Sequence, residues 1–154
     1  PAAALGALHD ERVGGAAESL VMNLGNMHLL AFHLRGRRIA SLFEHHTGEV
    51  TSEQIESFAM QLCAGTLQHE AVFNSKGHGA FHADRSLVRP AVPATVAATG
   101  PRRVKIRETA LAPYFAAPLG DMMIGGCFGL LRGFGECNPA AGEAIASRLG
   151  PVPG

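Results

Sequence analysis

The chain has 154 residues, 47% of them hydrophobic and 17% charged, a balance too apolar for disorder and a length that suits one domain with a single core. The formal net charge is zero, so no basic field points to nucleic acid or a membrane surface, and no apolar run is long enough to span a bilayer. Cys63, Cys127 and Cys137 form no closely spaced pair, and the expectation is buried or inert thiols in a reducing, cytoplasmic setting.

Residues 1–8, PAAALGAL, read as a helix with Pro1 at its start. The chain enters this element at once, which suggests a fragment of a longer protein. A glycine pair in DERVGGAAE breaks the pattern. Strands follow near 19–24, 27–34 and 38–43, joined by turns at Gly25-Asn26, where both residues tolerate positive φ, and at Arg35-Gly36. The stretch TSEQIESFAMQLCAG predicts a helix over 51–64, with Thr51 and Gln54 as a capping box and Gly65 as its end. Its apolar stripe is Ile55, Phe58, Ala59, Leu62 and Cys63.

TLQHEAVF suggests a short helix, and NSKGHGAFHADR a glycine- and histidine-bearing loop, with a mobile lid as its functional reading. Strands are expected near 94–98, stopping at Gly100-Pro101, and near 114–117. A helix over 121–133 would begin at a capping Asp121. It contains Gly125, Gly126 and Gly129, each costing about 1 kcal/mol against alanine, so close backbone packing is the expected compensation. Residues 139–149 suggest a last helix, and GPVPG a loop.

Three groups of residues have the chemistry for a site. Gly25-Asn26 with Asn23 and His28 would form an anion nest that lets a phosphate approach the backbone. Gly100 and Pro101, with Arg102 and Arg103, end a strand and offer guanidinium groups to phosphate. Glu44, His45 and His46 follow a strand, where alternate side chains face opposite ways, so Glu44 and His46 would hold a metal together with His78, His82 or Asp121, whereas His45 and His46 point apart. Solvated polar residues and an ordinary helix cap are the alternatives.

PAAALGAL before a strand–turn–strand, then VAATGP, then PLGDMMIGGCFGLL, together resemble the second half of the ATPase superfamily that contains sugar kinases, heat-shock chaperones and actin. The resemblance implies an α/β, ribonuclease-H-like (actin-like) lobe: a three-strand antiparallel meander extended by further strands, with helices on both faces. Residues 1–134 would be the C-terminal lobe, and 135–154 a terminal helix and tail. The first hairpin turn is a phosphate loop in that superfamily, and a later strand end contacts adenosine. Carried onto this chain, the catalytic residues would be Asn23, Glu44, His46 and Asp121. The cofactor contacts would be Gly25, Asn26, His28, Gly100, Pro101, Arg102 and Gly120, and Glu44, His46 and Asp121 the metal candidates. ATP and magnesium are the implied cofactors, and the N-terminal lobe of the same chain the implied partner. Members that hydrolyse ATP place an aspartate at the Asn23 position. The neutral amide implies weak magnesium binding and slow or absent hydrolysis.

The phrases NLGNMH, FEHHTG, GTLQHEAVF, VAATGPRR and FAAPLGDMMIGGCFGLLR more closely resemble a bacterial family of unknown function labelled pyruvate formate-lyase activating enzyme-like, over residues 1–134. Such an activity needs cysteines of CxxxCxxC type for an iron–sulfur cluster, and Cys63, Cys127 and Cys137 lack that spacing. Three functions stay open: phosphoryl transfer on a nucleotide, a binding or regulatory module without hydrolysis, and a metal-dependent enzyme built on the His, Glu and Asp residues.

Overall fold

A computed structural model describes residues 1–151; the tail expected as a loop falls partly on Val152–Gly154, outside the described residues. Helix α1 spans Ala2–Ala7, and α2, a single turn missed in the sequence, spans Glu11–Gly14. The meander follows as β1 (Glu18–Leu24), β2 (His28–Arg35) and β3 (Arg38–His46). Helix α3 covers Ser52–Ala64 and α4 His69–Phe73. Strand β4 covers Gly79–His82, β5 Thr95–Thr99 and β6 Tyr114–Phe115. Helices α5 (Gly125–Cys137) and α6 (Pro139–Leu149) close the chain.

The result is a mixed α/β architecture around one six-stranded sheet of order β4-β3-β2-β1-β5-β6. β1 to β4 pair antiparallel, whereas β5 lies parallel to β1 and β6 parallel to β5. The two faces carry separate cores, because alternate strand residues point to opposite sides. Leu20, Met22, Leu24, Leu29, Ala31 and Phe43 pack with Ile55, Phe58 and Leu62 of α3. Val21, Phe32, Leu34 and Ala97 pack with Ala4, Ala7 and Leu8 at α1. No helix among the described residues is long and apolar enough to cross a membrane.

Local signals explain much of this. The Thr51 hydroxyl accepts from the Gln54 amide at 3.2 Å and the Gln54 side chain accepts from the Thr51 amide at 2.9 Å, so the capping box is complete. All five stripe residues of α3 are buried, and Gly65 ends the helix at φ 72. Asp10 ties α2 to β6: its carboxylate accepts from the Arg12 amide, from the Tyr114 hydroxyl at 3.0 Å and from the Ala117 amide at 3.1 Å. That hydrogen bond holds the Tyr114 phenol above its ordinary pKa.

Several expectations require correction. The first hairpin loop is Asn26-Met27, flanked by a Gly25 amide that donates to the His28 carbonyl at 2.9 Å. Neither Gly25 nor Asn26 has a positive φ. Glycine is required at 25 because a Cβ would lie 2.9 Å from the His28 carbonyl oxygen. β3 runs to His46, so Glu44, His45 and His46 are strand residues. The expected loop after α4 contains β4, an edge strand too short to show a period of two. Asp121 does not cap α5: that helix starts four residues later, and Asp121 instead accepts from the Met123 amide at 2.7 Å in a turn before it. Cys127 and Cys137 are exposed, and only Cys63 is a buried thiol.

The expected close helix packing is present. A Cβ on Gly6 would strike the Gly125 carbonyl, and one on Gly129 would strike the Ala2 carbonyl and the Gly6 amide nitrogen. α1 and α5 therefore touch backbone to backbone. Gly129→Val should destabilise the protein by about 1–3 kcal/mol through overpacking. Gly133→Ala, whose Cβ would meet only Leu5 Cδ2 at an ordinary 3.5 Å, should stabilise it by about 0.5–1 kcal/mol. Thermal melts of the two variants check this pair, and equal shifts of the same sign would refute the packing account.

Candidate functional site

Parallel pairing brings the carboxyl ends of β1 and β5 together, with the start of β2 and the end of β3 beside them. One row of residues crosses four strands there: Thr99 pairs with Asn23, Asn23 with Leu30, and Leu30 with Glu44. The row lies on the α1 side of the sheet, since Leu30 belongs to that core and Phe43 to the other.

Asn23 is half-buried, and its Nδ2 donates to Thr99 Oγ1 at 3.0 Å. Its amide thus bridges two strands far apart in sequence, while Oδ1 faces the turn near Gly25. Glu44 is half-buried two strands away, about 10 Å from Asn23 at ordinary strand spacing, with Leu30 between them. The two side chains therefore share a face of the sheet without sharing one ion.

Gly100 follows β5 with φ +92, and a Cβ there would strike the Leu24 carbonyl. Its amide donates to Met122 Sδ at 3.1 Å, which seats the 118–123 segment against the end of β5. Asp121 and Gly120 lie exposed on that segment, Gly120 at φ +84 with open space around it. Arg103 is committed to the fold: its Nη1 donates to the Gly100 carbonyl at 3.0 Å and its guanidinium lies over the Phe115 ring. Pro101 and Arg102 are exposed, and the Arg102 amide donates to the Leu24 carbonyl at 3.0 Å. At the hairpin, Asn26 and Met27 are exposed, and among the described residues their amides donate to no other backbone group. A nest with alternating left- and right-handed residues is not formed at this turn, because no φ there is positive.

The histidines divide into two kinds. His45 is buried, with its ring between the His46 carbonyl and Ser75 Oγ, both at 3.1 Å, and stacked on Phe58. His82 pairs with the Leu67 carbonyl at 2.9 Å and does not approach His46. His28, His46 and His78 do converge: their ring centroids are 4.5–5.2 Å apart. The sequence places His28 with phosphate, and His46 with His78 as metal candidates beside Glu44. The cross-strand pairing of His28 with His46 joins the first two, and the His78 amide, donating to the Glu44 carbonyl at 2.9 Å, fixes the third. A lid is not what the 74–78 segment forms, since Gly77 packs so closely on His45 and Val72 that a Cβ would lie 2.6 Å from the His45 ring.

An apolar groove of about 620 Å³ is lined by Leu5, Leu8, Phe32, Leu34 and Phe134 among others, and contains none of these candidate residues.

A family model described as "Putative pyruvate format-lyase activating enzyme (DUF1786)" matches residues 1–105. No curated protein and no solved structure matches the chain.

The cysteines do not fit the iron–sulfur cluster that this description implies. Cys63 is buried under α3 on one side of the sheet, and its thiol is pushed up to about 12, chiefly by burial. Cys127 and Cys137 are on α5, which packs on α1 across the sheet, and are separated by about 15 Å along the helix axis. A cluster needs thiolates converging on one point. Under native conditions, iodoacetamide should label Cys127 and Cys137 and spare Cys63, which reacts only after denaturation; peptide mass spectrometry reads the labelling. Native labelling of Cys63 at the same rate would contradict its burial.

Proposed function

We propose, from the premise that this chain belongs to the family just described, that it is a ligand-binding lobe of actin-like type and takes a nucleotide or another phosphate-bearing ligand at the carboxyl ends of β1 and β5. The observation that carries the reading is the sheet order. The chain leaves the carboxyl end of β1 for β2 on one side and that of β5 for β6 on the other, so the connections diverge between the adjacent parallel strands β1 and β5. In open α/β sheets, ligands bind at such switch points, outside the carboxyl ends of the strands. Without edge strand β4, the order matches the ribonuclease-H-like arrangement that the sequence resembles.

The residues gathered there suit an anion better than a hard cation. The Asn26 and Met27 amides point no hydrogen bond inward, Arg102 is exposed beside Gly100, and Asn23 offers an amide rather than a carboxylate. Magnesium draws much of its affinity from carboxylates, so an ion at Asn23 is held weakly unless Glu44 or Asp121 supplies charge through water. Binding with slow or absent phosphoryl transfer is the consequence. The 1–134 segment acts as one lobe in this reading, and a second lobe, as in the superfamily, closes the site. The radical chemistry implied by the family description has no support in the cysteines of this chain.

Calorimetric titration with ATP, with and without magnesium, tests the reading. The chain by itself should bind more weakly than micromolar, since one lobe offers half the contacts. Arg102→Ala should weaken binding about tenfold or more, the loss of one charge-assisted hydrogen bond. Asn23→Asp should raise the magnesium-dependent affinity. Hydrolysis at kinase rates of about 1–100 per second, or affinity indifferent to both substitutions, would overturn it.

A further inference from the structure

We propose that His28, His46 and His78 form a site for a divalent transition metal of the zinc type, with one coordination position open to solvent. The inference does not rest on the nucleotide reading and goes beyond it.

Each of the three residues offers a ring nitrogen, and these atoms all lie within 4.8 Å of one another. Tetrahedral zinc with nitrogen ligands at about 2.0–2.1 Å requires nitrogens about 3.3 Å apart. Small χ rotations therefore close the triad, with no movement of strands. The scaffold is rigid where it must be. His28 opens β2 and His46 closes β3 as direct cross-strand partners. His78 is tethered through its amide to the Glu44 carbonyl, and Gly79 after it takes φ +119, which breaks the strand alternation and lets the His78 ring turn toward His46.

The rings are also uncommitted. The rings of His33, His45 and His82 are held by Glu18, by Ser75 with the His46 carbonyl, and by the Leu67 carbonyl. Among the described residues, the rings of His28, His46 and His78 have no hydrogen-bond partner, and they meet only one another within aromatic range. Of the charged groups around them, Lys76 and Glu49 pair with each other at 3.0 Å, and Glu44 stands two residues before His46 on the same strand. Three imidazole nitrogens match the ligand preference of zinc and its borderline-soft neighbours, not that of magnesium. His28 and His78 are exposed, so the fourth position faces water beside the Asn26-Met27 turn. Three protein ligands with an open position are the arrangement in which zinc acidifies a bound water or holds an anion.

The test uses the full chain, stripped with a chelator and titrated with Co²⁺ and then Zn²⁺ in the absence of nucleotide. Expected are one cobalt per chain, the intense visible bands of four-coordinate Co²⁺, and displacement by zinc. His46→Ala should weaken zinc binding about 100-fold or more, since even the loss of a group that only supports a ligand costs about 10–100-fold. His78→Gln, at an exposed position outside the strand ladder, should do the same without disturbing the fold, as circular dichroism would verify. Arg148→Ala, at an exposed position of α6, should leave metal affinity unchanged. Absence of four-coordinate cobalt bands, or zinc affinity unaltered by His78→Gln, would overturn the site and leave the nucleotide reading untouched.

Discussion

The parallel pairing of β1 with β5 is the constraint from which the rest of the arrangement follows. It joins segments 76 residues apart through the ladder and through the Asn23–Thr99 hydrogen bond. With β5 in place, the chain after it must pass Gly100 and return at β6, parallel again, so that its later helices come back over the α1 side of the sheet. The positive φ of Gly100 lets the chain leave β5 hard against the Leu24 carbonyl. A β-carbon at this position would push the two strand ends apart and dissolve the row Thr99–Asn23–Leu30–Glu44.

The glycines of α1 and α5 solve a second problem on that face. Helix α1 is short, and an isolated helix of six residues has no stability of its own. It is held between the sheet and α5, and Gly6, Gly125 and Gly129 bring the two backbones close enough for main-chain atoms to touch. The unfavourable helix propensity of glycine is offset by this contact, which a larger residue would abolish. Where α5 meets nothing so close, as at Gly133, the same propensity term stands without compensation.

The chemistry at the end of the sheet separates into two neighbouring environments. Around Asn23, Gly100 and Arg102, neutral donors and one exposed cation suit an anionic ligand. Around His28, His46 and His78, imidazole nitrogens favour a borderline-soft metal. The Asn26-Met27 turn joins β1, which carries Asn23, to β2, which begins at His28. Glu44 belongs by register to the first row and by backbone contact, through its carbonyl and the His78 amide, to the second.

Local rules determined most of the secondary structure. The capping box at Thr51 and Gln54, the five-residue stripe of α3, the meander and the final helices are written in spacings of two, three and four residues, which depend on backbone geometry alone. Two features escaped for physical reasons. The edge strand β4 is too short to display a period, and the loop of the first hairpin shifted by one residue because Gly25 answers to the His28 carbonyl and not to a positive φ. For the site, the sequence grouped His46 with His78 as metal candidates beside Glu44 but assigned His28 to phosphate. Convergence of His28, His46 and His78 depends on the register of β2 against β3 and on the edge position of β4, and register is set by which apolar faces are buried. Pairing of Asn23 with Thr99, contact of Met122 with Gly100 and exposure of Cys127 and Cys137 likewise arise only when distant segments meet. The sequence by itself determined which elements form and which residue types stand at their ends; the tertiary structure alone decided which of those ends meet, because pairing between distant strands is fixed by burial and sheet order rather than by any local spacing.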